Sequence, residues 1–160
     1  MKDNLTVKKL KERFPQALLE VNYFQDQTMI TVPKEKLVEI GRFLRDDPQL
    51  VYNLLADIVG VDWLNRPQRH QLVYNLYSIP KNQRVFLIVW AQEGETVDTV
   101  TGIWGAADFH EREVYDFFGV AFKGHPNLTR ILMPDDWQGH PLRKDFPVED
   151  MPRWWEVGRP

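Results

Sequence analysis

No cysteine occurs anywhere in the chain. Disulfides, thiolate nucleophiles and the usual ligands of an iron–sulfur cluster are excluded together, so any redox centre this protein serves belongs to another chain. Long apolar runs are missing too. The longest, Val85 to Ala91, falls far short of the roughly 20 residues that cross a bilayer, and the opening MKDNLTVKKLKERF lacks the apolar stretch of a secretory signal. The expectation is a cytosolic protein with no direct membrane insertion. Charge of one sign is scarce: 20 Lys and Arg stand against 23 Asp and Glu, with no basic stripe, which disfavours nucleic acid and anionic membrane surfaces as partners. The glycines Gly102, Gly105, Gly119, Gly124 and Gly139 match neither dinucleotide nor Walker spacing, so a nucleotide pocket is not expected.

What is present is ample material for a core. With 160 residues, 43% hydrophobic and 12% aromatic, the chain fits one folded domain. Thr6 can cap a short helix carrying Val7, Leu10 and Phe14 on one face and ending at Pro15. Ala17 to Phe24 and Thr28 to Val32, joined by Gln25, Asp26 and Gln27, read as a β-hairpin. Pro33 suits the first turn of a helix with Leu37, Ile40 and Leu44 on its apolar face, broken at Asp46, Asp47 and Pro48. Leu50, Leu54, Leu55 and Ile58 suggest a second, shorter helix closed by Gly60, with a strand starting at Val61–Asp62–Trp63. Gln71 to Ile79 and Arg84 to Ala91 flank the turn formers Pro80, Lys81 and Asn82, and the second run, apolar on both faces, reads as an inner strand. This order predicts an α+β domain over 1–119: two layers, with a mixed or antiparallel sheet packed by helices. Prolines at 126, 134, 141, 147, 152 and 160 predict that 120–160 is an extended loop and tail. Trp137, Phe146, Trp154 and Trp155 are costly to leave in water, so the tail should drape over a surface, either its own domain or another protein.

The densest chemistry lies between Ala107 and Pro147. Asp108 and Glu111 suit a helix start, and Gly119 is a natural stop. Ala107, His110, Val114 and Phe117 or Phe118 recur at helical spacing and should face the core, leaving Glu111, Arg112, Tyr115 and Asp116 to face elsewhere. Arg112 can pair with Asp108 or Asp116, but such pairs contribute only about 0.2–0.5 kcal/mol on an exposed helix. Local helix stability does not account for this much charge; a partner surface does. Glu111, Glu113 and Asp116 form a poor acid/base set, since Glu111 and Glu113 point to different helix faces. His110, His125 and His140 lack metal-ligand spacing; His110 reads as a core or interface histidine and His125 as a loop hydrogen-bonder. In the tail, Arg130, Arg143, Lys144 and Arg153 are interleaved with Asp135, Asp136, Asp145, Glu149 and Asp150, a mixture suited to a protein partner or a solvated tail.

Glu111–Arg112–Glu113, Asp116, Gly119, His125–Pro126, Arg130–Ile131–Leu132, Asp136–Trp137, Gly139 and Pro141–Leu142–Arg143–Lys144–Asp145 resemble the signature of the thirty-kilodalton subunit family of respiratory complex I, the C subunit of NADH-quinone oxidoreductase. Upstream, Val61–Asp62 and the order of elements are similar to that family's α+β domain. The resemblance implies a cofactor-free structural subunit of the hydrophilic arm, held against the forty-nine-kilodalton subunit (the D subunit) near the quinone site and beside cluster-bearing subunits, on the cytoplasmic face of the membrane. NADH, FMN, iron–sulfur clusters and quinone would then belong to other subunits. It places Glu111, Arg112, Glu113, Asp116, His125, Arg130, Arg143, Lys144 and Asp145 at the partner interface, with no catalytic, cofactor or metal residue on this chain. An equivalent subunit of a ferredoxin- or F420-fed complex, a free-standing protein-binding module and a free-standing enzyme are the alternatives.

Overall fold

The computed structural model describes residues 4–25 and 27–147. Helix α1 spans Leu5–Arg13, and its cap is Asn4, whose side-chain oxygen accepts from the Thr6 N–H at 2.9 Å and the Val7 N–H at 3.4 Å. Thr6, expected as the cap, is buried, with its hydroxyl 2.8 Å from that of Tyr52. The hairpin forms as strands β1 (Glu20–Phe24) and β2 (Gln27–Thr31), in register from Glu20↔Thr31 to Phe24↔Gln27. A 3₁₀ turn over Lys34–Lys36 leads from Pro33 into α2 (Leu37–Asp46), which buries Leu37, Ile40, Gly41 and Leu44. Gly41 is there for space: a β-carbon would lie 3.1 Å from the Trp104 ring.

The expected helix over Leu50 to Ile58 is instead strand β3 (Leu54–Asp62), paired antiparallel with β4 (His70–Ser78). The reason for the difference is a β-bulge. The register steps irregularly between Leu55 and Asp57, so the buried residues Leu55 and Ile58 fall three apart and imitate a helical repeat. Beyond the bulge, the period of two returns. Strand β5 (Gln83–Ala91) pairs antiparallel with β4 and parallel with β2, giving the order β1-β2-β5-β4-β3. The inner position expected for Val85–Ala91 is thus where it sits.

Leu72, Tyr74 and Leu76 on β4 and Val85, Leu87 and Val89 on β5 are fully buried on one sheet face, joined by the apolar residues of α1 and α2. Helix α3 (Ala107–Phe118) lies against β3, where Gly60 lets the Phe118 ring approach to within 2.7 Å of where a β-carbon would be. A short parallel pair, β6 (Thr96–Asp98) and β7 (Ala121–Lys123), flanks α3. The architecture is α+β, a mixed sheet packed by helices.

Candidate functional site

Helix α3 ends at Gly119, whose left-handed backbone (φ 78°) caps the helix and turns the chain back across it. The same glycine admits the His140 ring, 2.6 Å from where a side chain would begin. His140 Nδ1 donates to the Asp116 carbonyl at 2.9 Å, and the Leu142 N–H donates to the Phe117 carbonyl at 3.1 Å. The segment after β7 is therefore folded back onto the helix that precedes it.

Asp116 organises this return. Its Oδ2 accepts the successive backbone N–H groups of Ile131, Leu132 and Met133 at 3.1, 2.8 and 2.8 Å, while its Oδ1 takes Arg130 Nη1 at 2.6 Å. Arg130 also donates to the carbonyls of Trp137 and Gly139, closing the loop over itself. Burial alone would raise the Asp116 pKa, but the hydrogen bonds from Met133, Arg130, Leu132 and Ile131 outweigh it and hold the group below the usual carboxylate range. Arg112, expected to pair with Asp108 or Asp116, donates instead to the carbonyls of Thr129 and Arg130 and to the Thr129 hydroxyl.

A second clamp holds the far end of the loop. Arg69, buried at the close of the β3–β4 turn, forks onto Asp62 at 2.8 and 2.9 Å and onto Asp145 at 2.9 and 2.7 Å, with Glu93 Oε2 at 2.9 Å. Asp62 further accepts the Lys144 N–H at 2.7 Å, and Arg143 pairs with Glu93 and Asp145. The Arg69 guanidinium lowers the pKa of both Asp62 and Asp145. These contacts, bidentate at Asp62 and Asp145, fix the orientation of residues 143–145 as well as attaching them.

The helix face differs from expectation. Ala107, Glu111, Val114 and Asp116 are the buried residues of α3, and His110 lies half-buried at the edge, 3.5 Å from Asp57. Glu111 points inward because its carboxyl finds partners there: the Thr99 hydroxyl at 2.5 Å and the Val100 N–H at 2.8 Å. Burial pushes its pKa up to about 7. His125 sits beside it with its side chain enclosed; its Nδ1 accepts the Asn127 N–H at 3.0 Å, so the proton is on Nε2, donating to the Asp108 carbonyl at 3.1 Å. That is the loop hydrogen-bonder expected of it.

Of the residues expected at a partner interface, Glu111, Asp116 and His125 have their side chains enclosed by this chain. Arg130 is mostly enclosed, Arg112 and Arg143 are half-buried, and Glu113, Lys144 and Asp145 are exposed. Arg153, Glu149, Asp150, Trp154 and Trp155 lie outside the described residues. Sequence reading missed Arg69 and Glu93 altogether. The available signal was the pairing of strands on either side of residues 63–69, which sets Asp62 opposite His70 and hence beside Arg69.

Comparison with known proteins agrees with this architecture. Residues 30–152 match the family described as the respiratory-chain NADH dehydrogenase, 30 Kd subunit. The chain is 46% identical to the C subunit of NADH-quinone oxidoreductase from Geotalea uraniireducens over 98% of its own length and 95% of the relative's. A trypsin-resistant fragment of Nqo5 shares 35% identity and a TM-score of 0.64, covering 78% of this chain and 100% of the fragment. A chain of the membrane-bound sulfane sulfur reductase, an archaeal respiratory membrane complex, shares 28% identity with a TM-score of 0.74, covering 89% of this chain and 84% of that one.

Proposed function

Since the chain belongs to the 30 Kd subunit family of respiratory-chain NADH dehydrogenase, we propose that it is a cofactor-free structural subunit of the hydrophilic arm, docking on the forty-nine-kilodalton D subunit near the quinone site. In this reading it makes and breaks no bond; it presents a rigid surface to a neighbour that does. The observation that carries the reading is the double clamp on residues 129–145, in which one buried carboxylate and one buried guanidinium hold an extended segment at a defined height over α3. A segment held at both ends loses little conformational freedom on binding, so its exposed side chains, Lys144 and Asp145, and the neighbouring Glu113 meet a partner already ordered. The lack of cysteine supports leaving the electron carriers to other chains.

The second reading, the equivalent subunit of a complex fed by another donor, draws on the likeness to the sulfane sulfur reductase chain. The 46% identity to relatives named as subunits of NADH-quinone oxidoreductase weighs for the first. None of the described helices is long and apolar enough to cross a membrane, so membrane association on the cytoplasmic face would run through the complex. The test is affinity purification of the tagged full chain from its host. The D subunit and cluster-bearing subunits should come with it, and the isolated chain should show no visible absorbance, no stoichiometric metal and no NADH turnover. A chain that purifies without those subunits, or that carries an iron–sulfur spectrum by itself, contradicts the proposal.

A further inference from the structure

Opposite the buried sheet face, the β3–β4 end carries an aromatic and cationic corner built on the Trp63, Trp90, Arg66 and Lys144 side chains, which neither clamp uses. Trp63 follows the inward-facing Asp62 and so points to the other side, where its indole N–H donates to Gln71 at 3.0 Å and its ring lies 6.2 Å from that of Trp90. The Arg66 guanidinium lies over both rings, 4.4 Å from Trp63 and 5.5 Å from Trp90, and Lys144 Nζ stands 5.8 Å from Trp63. Arg66 and Lys144 are exposed, and among the described residues neither has a carboxylate within ion-pair distance. The neighbouring carboxylates Asp62, Glu93 and Asp145 are engaged by Arg69 and Arg143. Among the described residues four cations thus meet three committed anions, which leaves this corner positive on a chain whose net charge is −3.

We infer that this corner is a docking site for an acidic segment of a partner polypeptide, one whose carboxylates fork onto Arg66 and Lys144 while an adjacent apolar side chain rests on Trp63, Trp90 and Val61. The Arg66 guanidinium lies over the indole faces and none of its side-chain N–H groups is hydrogen-bonded among the described residues, so they are free to take a carboxylate in a bidentate contact. The same cation covers the ring face that a nucleobase would need. Two cations on a small platform also fall short of the several Lys and Arg that hold a protein to an anionic lipid surface. The inference deepens the reading of the chain as an assembled subunit and rests on it for the existence of a partner.

The test places the photo-crosslinking residue benzoylphenylalanine at the exposed Leu64 (or at Gln68, if the Leu64 variant does not assemble), irradiates the purified complex and sequences the adduct by mass spectrometry. The expected adduct is a peptide of another subunit rich in Asp and Glu, and its yield should fall about tenfold or more when Arg66→Glu and Lys144→Glu are combined. A phospholipid or nucleic-acid adduct, an adduct to residues 148–160 of the same chain, no adduct, or a yield insensitive to the charge reversal overturns the inference. The two levels separate cleanly. An acidic adduct on a protein outside the dehydrogenase would leave the corner's chemistry standing and remove the proposed function, whereas dehydrogenase subunits without an acidic adduct would do the reverse.

Discussion

Replacing Asp116 with alanine should detach the loop after β7 while sparing the sheet. Asp116 is fully buried and accepts four hydrogen bonds from residues 130–133. Removing one partner of a buried charge pair costs about 3–5 kcal/mol. Arg130 keeps the carbonyls of residues 116, 137 and 139, which favours the lower end, about 3 kcal/mol. Because the bonds join an extended segment to one helix, the cost should appear as local opening, with the amides of Ile131, Leu132 and Met133 exchanging about a hundredfold faster. The amides of Leu87 and Val89, on the central strand, should keep their protection. Hydrogen exchange with mass spectrometry reads both, and a melt gives the global term: full transmission of about 3 kcal/mol would lower Tm by roughly 6–12 °C in a chain this size, and a much smaller drop is expected. Equal loss of protection in the loop and in β5 would show that the loop is integral to the core. Unchanged exchange at 131–133 would refute the clamp itself.

The depressed pKa values of Asp62, Asp116 and Asp145 make tail attachment acid-sensitive: it is fully present above their unfolded value of 3.8 and is lost as pH falls below it, so limited proteolysis should cut between 129 and 147 more readily at low pH. Glu111 has the opposite sign. Its pKa rises from 4.5 to about 7 on folding, so stability should decline by about 3 kcal/mol as pH rises from 4.5 through 7, and Glu111→Gln should flatten that slope in denaturant melts. Ile88→Asp puts an unpaired charge on the inner strand, where the side chain is 8% exposed; soluble expression should be abolished, and normal solubility would refute the packing. Arg69→Met should free residues 140–147 while leaving Asp116-held residues protected, as separate exchange of the two segments would show.

Much of the scaffold was legible because period and punctuation agree with tertiary packing. Pro33 and the Leu37, Ile40, Leu44 stripe mark α2, and the doubly apolar run at Val85–Ala91 marks the central strand. β3 was not legible, since its bulge shifts an alternating pattern into a helical one. The buried side of α3 was misassigned for a different reason. Hydrophobicity puts carboxylates outside, yet Glu111 and Asp116 are buried by partners at residues 99–100 and 130–133, which no local pattern announces. Arg69 belongs to the same class: a single charged residue in a turn, given its role by contacts with Asp62, Glu93 and Asp145. The charged signature in α3 and the tail read as partner chemistry, and in the structure much of it is engaged in holding the chain to itself.

In the proposed role the clamped loop is held in order to be bound. Capture of the purified D subunit by the immobilised full chain, titrated at fixed salt, tests it most directly when the parent and Asp116→Ala are compared under conditions where both melt well above the assay temperature. Saturable binding by the parent is expected, with a Kd at least about tenfold weaker for the variant, because the ordering of residues 129–147 then falls on the binding step. Equal Kd values for the two would contradict it, leaving the clamp as a feature of the fold with no part in docking.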